Sequence, residues 1–251
     1  MESRLLGQFL LTGVPGPELD ADTARRFKAL QPGGFILFGR NIKSPEQLRK
    51  LIDDLRDLSD IEPFITIDQE GGRVSRLRLI GSEPPNAQQL REKGDRALIR
   101  QHGTLTGKIL RLFGFNLDLC QVLDISYDDL ADNSLKGRCY GTTAQQVIDY
   151  AGVFNRSMRK EGVLSCGKHF PTYGSADVDP HHELPVIRRT KAELLADEVM
   201  PFSALIPELD SMMIGHAYFP DFDPERPRWP SDVPCSRTGC FGFEPRNRLS
   251  P

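Results

Sequence analysis

Residues 162–185 read Gly-Val-Leu-Ser-Cys-Gly-Lys-His-Phe-Pro-Thr-Tyr-Gly-Ser-Ala-Asp-Val-Asp-Pro-His-His-Glu-Leu-Pro. A short apolar run around Val163 and Leu164 gives way to Lys168, His169, Asp177, Asp179, His181, His182 and Glu183, with glycines and prolines between them. A buried strand cannot carry so many ionisable groups. A plain surface loop rarely concentrates them between rigid turn residues. The pattern suits a strand whose carboxyl end opens into an active-site loop, as in parallel α/β folds.

Within that loop Asp179 and His181 stand two apart. In extended chain, residues i and i+2 point the same way, so the carboxylate can orient the imidazole. Pro180 between them fixes one backbone angle and narrows the loop's conformations. A carboxylate partner raises imidazole basicity, which suits general acid–base work near neutrality. The spacing fits a solvated histidine-rich turn or a metal-binding loop equally well.

Working outward, short apolar runs alternate with segments of helical period. Strands are expected at 5–12, 34–38, 64–68, part of 116–125, 163–168 and 211–216. Ser44-Pro45-Glu46-Gln47 has the form of a capping box with proline at the first helical position. Leu48, Leu51, Ile52 and Leu55 then form one apolar face. Thr143 with Gln146 and Thr190 with Glu193 repeat the logic, and 86–113 reads as one long helix weakened by Gly94, Gly103 and Gly107. Repeated βα units imply a parallel sheet. Polar residues at strand ends (Asp68, Asp124, Lys168, His169, His216) favour an α/β TIM-like barrel over a doubly wound sheet. No glycine-rich phosphate loop follows the first strand, which counts against nucleotide binding.

The chain has 251 residues and a net charge of −3, so nothing electrostatic points to nucleic acid or an anionic membrane as partner. Residues 1–16 lack a basic leader region and a small-residue cleavage site, and read as the region of the first strand. No stretch approaches the ~20 apolar residues of a membrane span. The cysteines (Cys120, Cys139, Cys166, Cys235, Cys240) are scattered and odd in number. Reduced thiols in a cytoplasmic protein account for them better than a disulfide framework, and Cys235 with Cys240 lacks a second pair for a metal.

Two further clusters carry chemistry. Ile67-Asp68-Gln69-Glu70-Gly71-Gly72-Arg73-Val74-Ser75-Arg76 closes the third strand. Asp68 there can accept two hydrogen bonds from adjacent hydroxyl groups of a ligand, Arg76 can reach the same ligand, and the glycine pair allows close backbone approach to it. A Gly-Gly turn beside a surface ion pair fits those residues too. Gly137-Arg138-Cys139-Tyr140-Gly141 offers Arg138, which by itself also reads as an exposed loop arginine.

Together these stretches resemble the retaining β-N-acetylhexosaminidases of glycoside hydrolase family three. Lys168-His169-Phe170-Pro171 matches that subfamily's K-H-F-P-G-H-G, with Thr172-Tyr173 in place of Gly-His. Asp179 and His181 stand at its D-S-H, with Pro180 replacing Ser, and Pro185 also matches. Asp68 to Arg76 follows D-x-E-G-G-R-V-x-R, Arg138 matches G-x-R-S-F-G, and residues 212–220 resemble the sixth strand. The resemblance implies hydrolysis of a terminal β-linked N-acetylglucosamine, as from cell-wall muropeptides in peptidoglycan recycling, without cofactor or metal. His181 would be the acid/base and Asp179 its partner. Asp68, Arg76, Arg138, Lys168 and His169 would hold the sugar, with His216 a strand cap or a sugar contact. After Arg226 the proline- and arginine-rich tail lacks the family's seventh strand ending in S-D-D, the site of its nucleophile. The expectation is a barrel domain over 1–225 with about six of eight βα units, followed by an irregular, truncated or frame-shifted tail over 226–251. A catalytically inactive sugar-binding fragment is the alternative. A metal hydrolase built on His169, Asp179, His181 and His182 is a third.

Overall fold

Parallel strand pairing organises the chain. In order, its elements are α1 (Glu2–Gly7), β1 (Leu11–Gly13), α2 (Ala21–Leu30), β2 (Gly34–Leu37), α3 (Pro45–Asp57) and β3 (Phe64–Ile67). A hairpin of β4 (Gln69–Gly71) and β5 (Val74–Ser75) follows, then α4 (Ala87–Lys93), α5 (Arg96–Phe113), β6 (Leu117–Asp118) and α6 (Ala144–Lys160). β7 (Leu164–Phe170), α7 (Lys191–Ala196), α8 (Met200–Leu205) and β8 (Ser211–Ile214) complete the set. The computed structural model describes residues 2–131, 133–176, 178 and 184–222. Six strands form one sheet in the order β1-β2-β3-β6-β7-β8. Every pairing in it is parallel. The sheet is open and strongly curled, with helices packed along it, which is the geometry of an incomplete TIM-like barrel.

The helix signals read from the sequence have physical counterparts. Ser44 accepts the Gln47 N–H at the start of α3, and Leu48, Leu51, Ile52 and Leu55 are all buried. The Gln47 side chain reaches back to the Lys43 N–H rather than that of Ser44, so the box closes one residue early. Thr190 and Glu193 form a complete reciprocal box.

Two expectations need correction, while the partial strand expected within 116–125 is present. Residues 5–12 are not a strand: α1 occupies the first part, turns carry the chain through Leu10, and only Leu11–Gly13 pair with β2. Leu5 and Leu6 lie on the surface, so an apolar run there signals helix rather than buried sheet. The expected helix over 86–113 is two helices. Gly94 takes a left-handed φ of 65° and ends α4, and Asp95 caps α5. Gly103 and Gly107 serve packing. A Cβ on either would lie 2.6 Å from the Phe154 carbonyl or 2.8 Å from that of Met158, so α5 and α6 approach backbone to backbone. Within 116–125, ladder pairing is confined to Leu117–Asp118, with one isolated bridge from Val122 to Lys168. Among the described residues no helix is long and apolar enough to cross a membrane.

Half-buried polar side chains tie the strands at their ends. Asp210 takes a two-point contact from Arg159 and also accepts the Ser165 N–H, which fixes the entry to β7. Asn116 accepts the Ile65 N–H and donates to the Pro63 carbonyl, joining β6 to β3.

His102 on α5 is buried against the Phe154 ring, and neither ring nitrogen has a hydrogen-bond partner. Burial lowers its pKa to about 4. A histidine kept neutral in the fold but free to protonate when unfolded contributes stability above the unfolded pKa, lost as pH falls toward the folded one. Between pH ~6.5 and about 4 the loss is expected to reach roughly 3 kcal/mol. His102→Leu, close in volume, is expected to flatten this acid-dependent drop. Urea unfolding of both proteins near neutrality and near pH ~5 measures it, and an identical drop in the variant would assign the acid sensitivity elsewhere.

Candidate active site

The curl of the sheet brings the ends of β3 and β7 together, so residues one hundred positions apart meet. The Lys168 ammonium, only 2% exposed, donates to Asp68 Oδ1 and lies against Glu70 Oε1, each at 2.7 Å. Glu70 also receives the Arg138 guanidinium as a fork, both contacts at 2.8 Å, and Arg138 Nη1 donates to the Ser134 carbonyl. Arg76 completes the group with Nη2 3.6 Å from Asp68 Oδ2. Four residues named from the sequence, Asp68, Arg76, Arg138 and Lys168, thus form one network.

Glu70 joins the network and had no role in the sequence reading, although it lies within the quoted 67–76 stretch. It is the joint between Lys168 and Arg138. Burial alone would raise its pKa, but Arg138 and Lys168 outweigh that and hold it far below the usual carboxylate range. Burial likewise disfavours the Lys168 ammonium, yet Asp68 and Glu70 keep its pKa above the ordinary value. Asp118, beneath them on β6, accepts the Gln69 N–H at 3.0 Å. Its carboxyl is pushed up to about 8 by burial and is therefore neutral near pH 7. The pocket floor sets two carboxylates, Asp68 and Glu70, against three cations.

His169 is held separately. Asp124, fully buried, lies 2.8 Å from His169 Nδ1 and accepts the His169 and Tyr173 backbone N–H groups. Burial lowers the His169 pKa despite the opposing pull of Asp124. The neutral ring donates Nδ1–H to Asp124, leaving Nε2 unprotonated. Asp124, which the sequence left out of the first rank, is the residue that orients a first-rank one. The Tyr173 ring stacks on His169 at 4.7 Å between centroids, and its hydroxyl receives the His216 N–H. A Cβ on Gly215 would come within 3.2 Å of that ring. Tyr173, one of the departures from the family pattern, is thus seated by a glycine. The His216 side chain is exposed.

The Gly71-Gly72 pair also serves the fold itself. Both have positive φ, 113° and 52°, and a Cβ at Gly71 would lie 2.2 Å from the Pro85 carbonyl. The chain's own backbone passes close by, where Gly72 N–H donates to the Pro84 carbonyl. Asp177, Asp179, Pro180, His181, His182 and Glu183 lie outside the described residues. Among the described residues no group of His, Cys, Asp or Glu is arranged to hold a metal ion. Cys120, Cys139 and Cys166 are buried and unpaired by disulfides.

Removing one partner of a buried ion network leaves the others uncompensated, at a cost of about 3–5 kcal/mol. Lys168→Met is therefore expected to destabilise strongly, by exposing Asp68 and Glu70 to each other. Lys168→Met/Glu70→Gln is expected to lose less than the two single changes summed. Because the folded pKa of Glu70 is depressed, its contribution is present above the unfolded pKa of ~4.3 and is lost progressively as pH falls from there toward the depressed folded value. Denaturant titration of the cycle measures both effects, and strict additivity would dissolve the network.

The chain and its fold have counterparts among known proteins. The family model described as "Glycosyl hydrolase family 3 N terminal domain" matches residues 5–237. A β-hexosaminidase of Methylococcus capsulatus is 36% identical over 216 residues, which is 84% of this chain and 64% of the relative. The solved glycoside hydrolase family 3 β-N-acetylglucosaminidase of Paenibacillus superposes with a TM-score of 0.84 at 31% identity, covering 91% of this chain and 44% of that one. NagZ of Neisseria gonorrhoeae in complex with N-trifluoroacetyl-D-glucosamine superposes at 0.76 and 27% identity, over 85% and 65%. The chain spans 61–66% of the length of the first three curated relatives it matches. With matched positions running nearly end to end, the chain belongs to the family defined by the glycosyl hydrolase family 3 N-terminal domain.

Proposed function

We propose that the chain acts on terminal β-linked N-acetylhexosamine glycosides, in the manner of a retaining hydrolase, with muropeptide-type glycosides as the natural class. The observation that carries this is the junction of Asp68, Arg76, Arg138 and Lys168 at the mouth of the curled sheet, with His169 oriented by Asp124 alongside. Rigid donors and acceptors, each fixed by a buried partner, suit a neutral ligand rich in hydroxyl groups. The β-hexosaminidase names of the relatives agree with that ligand class.

In this reading His181 protonates the departing glycosidic oxygen and then, as a base, activates water, with Asp179 orienting the imidazole. Asp68 accepts sugar hydroxyls, and Arg76, Lys168 and Arg138 hold both the carboxylates and the sugar in register. A retaining reaction also needs a carboxylate on the opposite face of the anomeric carbon. The sequence contains no Ser-Asp-Asp triplet to supply it in the family's manner. The same pocket without turnover is an amino-sugar-binding protein, the second reading.

Release of nitrophenol from the aryl N-acetyl-β-glucosaminide, measured together with calorimetric binding of N-acetylglucosamine, separates these readings. Turnover that His181→Ala lowers by about a hundredfold or more establishes the hydrolase reading, with Asp68→Asn weakening binding. Binding without turnover establishes the second reading. Neither binding nor turnover overturns both.

A further inference from the structure

We propose that Glu198 is a positioning residue for the acid/base loop: its buried carboxylate ties together the two stems that residues 176–184 connect. The proposal rests on reading Asp179 and His181 as the acid/base pair. Glu198 sits between α7 and α8, far in sequence from the pocket, and is fully buried. On the outgoing stem, just beyond β7, it accepts Thr172 Oγ1 at 2.9 Å, the Ser175 N–H at 3.1 Å and Ser175 Oγ at 3.3 Å. On the returning stem, Arg189 Nη1 lies 3.3 Å from its other oxygen.

The surroundings show that this contact is built into the fold. Gly174 passes so close that a Cβ there would lie 2.8 Å from Glu198 Oε1 and 2.7 Å from the Ile125 carbonyl. The returning stem is also pinned by backbone bonds, with Tyr218 N–H donating to Pro185 and Ile187 N–H to Tyr218, both at 2.8 Å. Arg189 in turn donates to the Tyr127 hydroxyl at 2.7 Å and faces Asp197 at 3.5 Å. Burial pushes the Glu198 pKa up, against the lowering by Thr172, Arg189 and Ser175. Tyr173, between the two anchored residues of the outgoing stem, stacks on His169. The clamp therefore fixes the stem relative to the sugar-binding wall as well as to the returning chain.

The clamp touches no reacting atom, so its effect must pass through the loop. Protonation of the leaving oxygen matters greatly for an alkoxide and little for a dinitrophenolate. kcat/KM reports the glycosylation step, where that protonation occurs. Glu198→Gln keeps one acceptor oxygen but loses the charge that holds Arg189, and Arg189→Met cuts the returning stem alone.

The experiment compares wild type, both single variants and the double variant on the methyl and dinitrophenyl N-acetyl-β-glucosaminides. Hydrogen exchange over residues 172–189 is followed in the same proteins. Each variant is expected to lose about tenfold or more in kcat/KM on the methyl glycoside, to keep most of its rate on the dinitrophenyl one, and to exchange faster in the loop stems. The double variant is expected to lose no more than the worse single one. Equal loss on both substrates, or unchanged exchange, overturns the positioning role while leaving the glycosidase reading intact. A wild type silent on both substrates overturns the acid/base reading, and the positioning role with it.

Discussion

The constraint on which the pocket depends is the burial of the Lys168 ammonium between two carboxylates, Asp68 and Glu70. A cation removed from water is tolerable only where its charge is answered at contact distance. That requirement fixes β7 against the end of β3, although β6 lies between them in the sheet. Arg138 then closes the group from a third segment through its fork with Glu70. These side chains are thereby held in place by one another, which is the pre-organisation a binding site needs.

Carboxylates recur as staples at both ends of the sheet. Asp118 holds Gln69, Asp124 holds His169 and Tyr173, Asp210 holds Ser165, and Glu198 holds Ser175, each by accepting a backbone N–H from another segment. Irregular chain leaving a parallel strand has N–H groups without ladder partners, and these cannot stay buried unsatisfied. A carboxylate is the strongest side-chain acceptor for them. The staples differ in charge state: neutral Asp118 lies under the floor, while ionised Glu70 lies within it. That difference keeps the floor from accumulating negative charge beneath a cation-lined pocket.

Much of this was legible in the sequence. The βα rhythm, the apolar face of α3, the cap at Thr190 and the polar strand ends each follow from local periodicity and turn chemistry, which a linear text records faithfully. Asp68, Arg76, Arg138 and Lys168 stood out through the family motifs they match; read alone, Asp68 and Arg76 also fitted a surface ion pair and Arg138 an exposed loop arginine. The misreadings share one cause. The exposure of Leu5 and Leu6 and the helix break at Gly94 both depend on how the chain packs around them, which local periodicity does not record.

The sequence by itself determined the strand and helix order, the chemistry gathered after β3 and β7, and the family to which those motifs point. Tertiary structure decided which of the charged residues answer one another. Glu70 became the joint of the network, Asp124 the holder of His169, and Glu198 the partner of Thr172 and Ser175, more than twenty residues away. The reason is physical: a carboxylate's role is set by the donors within about 3 Å of it, and in a curled parallel sheet those donors come from segments that the linear chain keeps far apart.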